Sequence, residues 1–250
     1  MFQIAFPVIG NQGVVFFSRG RYPCIMEQLG QHGENRSFVL GHTRVGRPSL
    51  VAECPLHLAD ADNPFWEQAI GNESESWLPL PYWAFAWSGS QALARYVWDN
   101  PRVVRGLRVL DFGSGSGLSG LAAGLMGAKE VILNDIDPMA MAAAELNAEL
   151  NQVVVHLESS DLLSSVVLPK VDVVLAGDVH YEEPFARRVQ GWLEAWAKKG
   201  VTVLVGDPGR VYLPEMKFQI EAQYCQDASN WFEDHELCRA KVLSLESNRL

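Results

Sequence analysis

"VLDFGSGSGLSGLAA", residues 109–123, gives the clearest indication of the fold. A short apolar run there contains Asp111 and leads into Gly113, Gly115 and Gly117, which are spaced two residues apart. Glycines after a strand let the backbone turn tightly into a helix and approach a ligand closely. The stretch therefore predicts a buried strand, a ligand-binding loop and a helix of small residues that packs closely on a sheet.

Strand-like and helix-like patterns alternate from residue 90 onward, which is typical of βαβ units around a parallel sheet. The predicted strands cover residues 107–113, 130–135, 153–159, 171–178 and 201–207. The predicted helices cover residues 90–100, 118–128, 137–151 and 182–200, the third of them with Asp137 as its N-cap. Beyond residue 207 we predict a helix-like stretch near 214–224, and apolar segments at 229–232 and 240–245 that close the sheet as a hairpin.

The first 48 residues lack this alternation. They are predicted to be a weakly structured, divergent extension ahead of one domain that covers residues 49–250. Their first positive charges, Arg19 and Arg21, follow an apolar run. A secretory signal carries its positive charges ahead of the apolar run, so this order argues against one.

Composition and charge exclude several classes of function. The 250-residue chain has a net charge of −10, which argues against a nucleic-acid partner because such partners attract Lys and Arg. No apolar run approaches the roughly 20 residues that a membrane helix needs. The four cysteines form no C-x-x-C pair and have no histidine at metal-ligand spacing, so we expect no metal site.

The glycine loop fits two kinds of ligand. Gly120 completes "GSGLSG", so the spacing alone also fits a nicotinamide dinucleotide. A carboxylate at Asp111 would repel a pyrophosphate but attract a positively charged ligand such as S-adenosylmethionine. Asp135 ends the second strand and can accept hydrogen bonds from the ribose of either ligand, and Asp161 can accept one from an adenine amino group. The residues favour S-adenosylmethionine and leave the dinucleotide as the alternative.

Several motifs together resemble a known family. The glycine stretch with "LNDIDP" (133–138) resembles motifs I and post-I of the class I S-adenosylmethionine-dependent methyltransferases. The narrower resemblance is to the seven-β-strand lysine methyltransferases that modify the β subunit of electron transfer flavoprotein, whose relatives are often labelled nicotinamide N-methyltransferase-like. It spans roughly residues 49–215 and is carried by "PYWAFAWSGSQALARYVWDNP" (81–101), "LNAELN" (146–151), "GDVHYEE" (177–183) and "GDPGR" (206–210). It implies an α/β, Rossmann-like sheet of seven strands with helices on both faces.

The resemblance also implies a set of residues that bind S-adenosylmethionine. Two of them lie ahead of the first helix, four line the methionine part of the cofactor, and four hold the ribose and flank the adenine. In that order, these residues are Trp87 and Gly89; Gly113, Ser114, Gly115 and Gly117; and Asp135, Ile136, Asp161 and Leu162. With Asp111, they form the predicted cofactor site.

"DVHY" fits the Asp-x-x-Tyr signature of this wider lysine methyltransferase group, which implies that Asp178 and Tyr181 face the substrate. We assign Asp178 to orienting the acceptor lysine, and Tyr181 to a hydroxyl contact or an aromatic wall. His180 between them more often packs or faces solvent than acts as a base. For Asp207 and Arg210 the residues leave two interpretations open, a substrate entrance and a structural turn.

The sequence therefore predicts a protein-lysine N-methyltransferase, with the electron transfer flavoprotein β subunit as candidate substrate. The alternatives are a small-molecule amine N-methyltransferase acting on a nicotinamide-like acceptor, an NAD-dependent oxidoreductase and a non-catalytic scaffold. We expect no metal, no nucleic acid and no membrane among its partners. The expected location is the cytoplasm, or the mitochondrial matrix if the chain comes from a eukaryote.

Overall fold

The computed structural model describes residues 32–59, 81–166, 168–214, 217–225 and 239–245. Within these residues the helices are α1 His32–His42, α2 Ser88–Asp99, α3 Leu118–Leu125, α4 Pro138–Leu150 and α5 Phe185–Lys198. The strands are β1 Thr43–Gly46, β2 Leu56–Ala59, β3 Arg108–Phe112, β4 Glu130–Asn134, β5 His156–Glu158, β6 Val173–Gly177, β7 Thr202–Asp207, β8 Phe218–Cys225 and β9 Arg239–Leu245. Short 3₁₀ turns cover Tyr82–Ala84 and Pro101–Val103.

In the described part of the chain, seven strands form one sheet in the order β5-β4-β3-β6-β7-β9-β8. The first five strands of this order run parallel to one another, and β9 lies antiparallel between β7 and β8. The predicted Rossmann-like sheet of seven strands is therefore confirmed. The strand order reverses beside β3, which has β4 on one side and β6 on the other.

Helices cover both faces of the sheet, as the sequence predicts. Apolar residues of α2 and α3 pack with Val109 on one face of the sheet. The next residue, Leu110, packs with Val189 and Leu193 of α5 on the opposite face. This alternation follows from the period of two along a strand. The same alternation determines which charged side chains at the strand ends reach the ligand-binding edge of the sheet.

The five parallel strands and four main helices were predicted with boundaries that shift by a few residues. Asp137 is the N-cap of α4, and its Oδ1 accepts a hydrogen bond of 2.8 Å from the Met139 amide, as predicted. β9 confirms the apolar segment predicted at 240–245 as part of a terminal hairpin. The segment predicted at 229–232 lies outside the described residues.

The helix-like stretch predicted near 214–224 was wrong, because residues 218–225 form β8. Ile220 pairs with Leu243, and Tyr224 pairs with Ala240 of β9. These partners lie about twenty residues further along the chain, so the helix prediction, which considered only local spacing, did not include them.

Residues 32–59 form a helix and a two-stranded antiparallel sheet that pack on the domain. Arg36 of α1 bonds to Glu145 and Glu149 of α4, and the His57 amide donates 2.7 Å to the Asn147 side chain. The last part of the predicted extension is therefore folded, in contrast to the weak structure expected. The domain boundary at residue 48 itself stays a prediction, and residues 1–31 lie outside the described residues.

Among the described residues, no helix is both long and apolar enough to cross a membrane.

Candidate cofactor and acceptor site

The carboxyl ends of the parallel strands meet at one edge of the sheet. Loop 113–117 follows β3, Asp135 follows β4, Asp178 follows β6, and Asp207 ends β7. In open α/β sheets, ligands bind outside the carboxyl ends of the strands, where the strand order reverses. The reversal beside β3 therefore places the glycine loop where a ligand is expected.

The glycine loop adopts a backbone that favours glycine. Gly113, Gly115 and Gly117 have φ angles of 63°, 50° and 83°, in the left-handed region that side chains with a Cβ rarely adopt. The Ser114 amide donates 2.9 Å to the Asn134 carbonyl, and the Gly115 amide donates 2.9 Å to Oδ2 of Asp135. The loop is thus fastened to the end of β4, as a rigid cradle requires.

The loop lies between the segment of the predicted acceptor residues Asp178 and Tyr181 and the 3₁₀ turn Tyr82–Ala84. A Cβ built on Gly113 would lie 3.7 Å from Cγ1 of Val179, the residue after Asp178. A Cβ built on Gly115 would lie 3.8 Å from Cα of Trp83. The structure therefore brings the cofactor loop and the predicted acceptor residues into one site.

Three features of this edge fit S-adenosylmethionine. The Ser114 hydroxyl is buried and has no hydrogen-bond partner in the described part of the chain, so a ligand group can supply one. Asp135 lies beside the loop, where its Oδ2 accepts from the Gly115 amide and its Oδ1 from the Asp137 amide, and each oxygen can also accept from a ribose hydroxyl. Ile136 follows it with 69% of its surface exposed, which offers an apolar face to an adenine ring.

Asp111 lies beneath the loop, because odd residues of β3 face α3. It is 2% exposed, and its Oδ2 accepts a hydrogen bond of 2.8 Å from the Gly120 amide. Burial, with a smaller contribution from nearby Asp135, raises the pKa of Asp111 to about 8. The sequence predicts a negative charge at Asp111, whereas a carboxyl group with this pKa is mostly uncharged at pH 7. Its role as a cofactor-binding residue stays a prediction.

Burial also raises the pKa of two further carboxyl groups at the end of β4. Burial raises the pKa of Asp135 above its usual range, although backbone amides that donate to its oxygens oppose the shift. Burial raises the pKa of Asp137 to about 6. A bound cation favours the ionised form of a carboxyl group, so these residues gain charge when a positive ligand arrives.

Asp161 and Leu162 follow β5 and have different surroundings. The exposed Asp161 stabilises its own turn by accepting from the Leu163 amide at 3.0 Å and the Ser164 hydroxyl at 2.6 Å. Leu162 is 2% exposed and packs in the core with Leu110. Its side chain therefore does not form a ligand surface here, and the adenine contacts of both residues stay a prediction.

Trp87 and Gly89 lie at the start of α2. The Trp87 ring nitrogen donates 2.7 Å to the Tyr82 carbonyl, and its ring is 5.7 Å from that of Phe85. Gly89 is buried, and a Cβ built on it would lie 2.2 Å from the carbonyl oxygen of Gly206 in β7. Close packing of α2 on β7 explains why glycine is needed at position 89, and the predicted contact of Gly89 with the cofactor stays a prediction.

Asp178 is held tightly by the chain itself. Its Oδ2 accepts 2.9 Å from the Ser90 amide in the first turn of α2, and its Oδ1 accepts 2.9 Å from Nη2 of Arg210. Its backbone amide donates to Gly206, and its φ of 58° is in the left-handed region, which is uncommon for a residue with a Cβ. The structure therefore gives Asp178 an internal role beside the substrate role predicted for it.

Tyr181 forms part of an aromatic wall next to Asp178. Its ring lies 5.7 Å from Tyr82 and 5.4 Å from Phe185, and the Tyr82 ring lies 5.9 Å from Trp87. Burial raises the pKa of Tyr181 well above its usual range. The phenol therefore keeps its proton at neutral pH, so it serves as a wall or hydrogen-bond donor instead of a base.

For Asp207 and Arg210 the structure shows the structural turn, and the substrate entrance stays a prediction. Asp207 is fully buried, and its Oδ1 accepts from the amides of Gly209 and Arg210, both at 2.7 Å. This turn directs the Arg210 guanidinium to Asp178 and places it 5.8 Å from the Trp87 ring centre. The buried His180 lies 3.6 Å from Asp207, so it faces the turn.

Sequence reasoning did not identify Ser90, nor the pairing of Arg210 with Asp178. The pair joins residues 32 positions apart, and only the parallel arrangement of β6 and β7 reveals it. The signal available in the sequence was the "GDPGR" turn directly after a strand. Among the described residues, no group of three or more potential metal ligands lies together.

Comparison with known proteins adds to this geometry. Residues 92–179 match the family model described as ribosomal protein L11 methyltransferase (PrmA). The chain is 39% identical over 219 residues to the electron transfer flavoprotein beta subunit lysine methyltransferase of Xenopus laevis, covering 84% of this chain and 87% of that protein. It is 38% identical over 208 residues to the Homo sapiens protein of the same name, covering 80% of this chain and 76% of that protein. A solved ribosomal protein L11 methylase from Lactobacillus delbrueckii subsp. bulgaricus is 27% identical with a TM-score of 0.46, covering 63% and 78% of the two chains.

Proposed function

Because this chain belongs to the electron transfer flavoprotein beta subunit lysine methyltransferase family, we propose that it methylates the side-chain nitrogen of a lysine in a protein. S-adenosylmethionine supplies, when bound, a methyl group made electrophilic by its positively charged sulfur. The residues of the chain hold this methyl donor, exclude water and align an uncharged amine with the methyl group.

The observation that carries the proposal is the contact of the glycine loop with the segment after β6 and with the 3₁₀ turn Tyr82–Ala84. Gly113 lies against Val179, and Gly115 lies against Trp83, so a donor on the loop meets an acceptor near Asp178 at short range. Direct displacement needs this arrangement, because the nitrogen must approach the methyl carbon within about 3–3.5 Å.

The acceptor side favours a long side chain that enters from the surface. Tyr82 exposes 38% of its surface, and Trp87 and Tyr181 are half-buried beside it. Aromatic faces attract a cationic ammonium and can line the aliphatic stem of a lysine. Asp178 and Arg210 lie beside these rings, with the guanidinium 5.8 Å from the Trp87 ring centre, and provide polar groups for the amine.

We propose the β subunit of electron transfer flavoprotein as the substrate protein, because the relatives of similar length are named for it. The net charge of −10 favours a basic lysine-bearing surface on that partner. The enzyme is then expected where this flavoprotein is kept, in the cytoplasm of a bacterium or the mitochondrial matrix of a eukaryote.

To test the proposal, the purified chain is incubated with methyl-labelled S-adenosylmethionine and the electron transfer flavoprotein β subunit of the same organism. We expect label on lysine, located by peptide mass spectrometry. Parallel reactions replace the protein with nicotinamide, and calorimetry compares the binding of S-adenosylhomocysteine with that of NADH.

Two variants distinguish the site from the rest of the fold. Gly115→Val introduces a branched side chain at a left-handed φ in the loop and is expected to abolish both binding and transfer. Gly191→Ala adds a methyl group on α5 that meets nothing within 4 Å, and is expected to leave both unchanged. Label on nicotinamide but not on protein would move the assignment to a small-molecule enzyme, and binding of NADH alone would remove the methyltransferase assignment.

A further inference from the structure

The acceptor carboxylate of this site is neutralised by a cation of the same chain. Arg210 donates 2.9 Å to Oδ1 of Asp178, and the side chains of the two residues are 16% and 8% exposed. The other oxygen, Oδ2, accepts from the Ser90 amide at the start of α2. Both oxygens are therefore engaged, and the pair as a whole carries no net charge.

The position of Arg210 is fixed from its own backbone. The fully buried Asp207 accepts from the amides of Gly209 and Arg210, which holds the turn after β7. The guanidinium then extends between Asp178 and the face of Trp87. A planar guanidinium suits this place, because it can pair with a carboxylate while it lies over an aromatic ring.

We propose that Arg210 is a positioning residue that cancels the charge of Asp178 and so keeps the acceptor lysine in its uncharged, nucleophilic form. The inference rests on the proposed function and deepens it. A free lysine has a pKa near 10.4, and a lone carboxylate beside it would stabilise the ammonium further. A neutral pair avoids this stabilisation, so the lysine loses its proton to water more readily before the nitrogen attacks.

Other titratable groups lie beside the pair or beside its neighbour Tyr181, and they stay the same in the variants that test it. They are Tyr82 ahead of α2, Asp135 after β4, His180, Tyr181 and Glu182 after β6, and Asp207 in β7. A difference between variants therefore reports the charge of the pair itself.

The experiment measures single-turnover methylation of the flavoprotein β subunit as a function of pH. In wild type, the rate rises with pH as the bound lysine loses its proton. Arg210→Gln leaves Asp178 with its negative charge, so the midpoint of this rise should move about one pH unit towards alkaline pH. Arg210→Lys keeps the charge, so its midpoint should stay near that of wild type.

Asp178→Asn tests the same idea in the opposite direction. It removes the negative charge of Asp178 and keeps the positive charge of Arg210, so the midpoint should move towards acid pH. A merely structural role would lower the rate of either variant without shifting the midpoint in opposite directions. Asp178→Asn also carries the test if Arg210→Gln does not fold, which binding of S-adenosylhomocysteine reports.

Arg108→Gln is the matched control. It removes an arginine from an Arg–Asp pair with Asp172 at the opposite edge of the sheet, and the midpoint should not change. Unshifted midpoints in both Arg210→Gln and Asp178→Asn, with transfer still observed, would overturn the inference and leave the proposed function standing. If wild type transfers no methyl group to any protein lysine, both fail.

Discussion

Asp111 should make the stability of the free protein fall as the pH rises. Burial raises the pKa of this carboxyl group from 3.8 to about 8 in the folded state. Between these two values the folded protein keeps a proton that the unfolded chain has lost. The unfolded state then binds fewer protons, so the free energy of unfolding decreases with increasing pH. The stabilisation is complete below about pH 4 and is lost as the pH rises through about 8.

The size of the effect follows from the shift. One pH unit within this window changes the free energy of unfolding by about 1.4 kcal/mol. Asp111→Asn keeps the shape of the side chain and an oxygen that can accept from the Gly120 amide, but it never ionises. From pH 5 to pH 8, wild type should therefore lose about 3 to 4 kcal/mol more stability than the variant does. This difference is a large part of the ordinary stability of a domain.

Urea unfolding at pH 5, 6, 7 and 8 measures the effect directly, because the variant isolates Asp111 from Asp135 and Asp137. Asp172→Asn serves as the control with the opposite shift. The Arg108 guanidinium, by a side-chain hydrogen bond, lowers the pKa of Asp172 to about 2, so this group stays ionised in both states throughout the range. Its variant should lose the same stability at every pH. Parallel pH curves for wild type and Asp111→Asn would refute the reasoning, because they would mean that the buried carboxyl group is charged.

Three further predictions concern the loop and the helix beside it. Ser114→Ala should leave the free protein as stable as wild type, since the buried hydroxyl has no partner within the described ranges of the chain. The same variant should weaken S-adenosylmethionine binding by roughly tenfold. Equal affinities by calorimetry would contradict the placement of the cofactor. The ratio of S-adenosylmethionine to S-adenosylhomocysteine affinity should rise roughly threefold from pH 6 to pH 8, because only S-adenosylmethionine carries the sulfonium charge that favours ionised Asp111. A constant ratio would show that the Asp111 carboxyl group does not interact with the sulfonium. Gly89→Ala should destabilise the fold by about 2 kcal/mol or more, because the new methyl group meets the Gly206 carbonyl. Gly191→Ala should stabilise the fold by about 0.5 to 1 kcal/mol. Urea unfolding that ranks the stabilities of the two variants the other way would contradict the packing.

Local sequence was sufficient for the elements whose contacts are local or whose burial is complete. β3 and α3 could be predicted because an apolar run and a run of small residues fit only a buried strand and a closely packed helix. Asp137 could be assigned as an N-cap because its partner, the Met139 amide, is two residues away. β8 could not, since it is defined by pairing with β9 across a long connection.

The site shows the same division between local and non-local information. The positions of Asp111, Asp135 and Asp178 near strand ends could be read from the sequence, but the direction of each side chain could not. Side chains alternate between the two faces of β3, and Asp111 is on the face that α3 covers. Its carboxyl group is therefore buried and does not face the ligand edge. Asp178 meets Arg210 because β6 and β7 are neighbours, which the order of strands along the chain does not reveal.

These directions change the account of how the site favours methyl transfer. The sequence predicted carboxylates that attract a cation at the edge of the sheet. In the structure, most of these carboxyl groups bind groups of the chain itself. Asp135 fastens the loop, Asp207 holds a turn, and Asp178 is neutralised by Arg210. A strong negative charge near the acceptor would oppose the reaction, because it would hold the lysine as an ammonium before transfer. Transfer leaves the positive charge on the nitrogen, where the aromatic faces of Tyr82, Trp87 and Tyr181 can stabilise it.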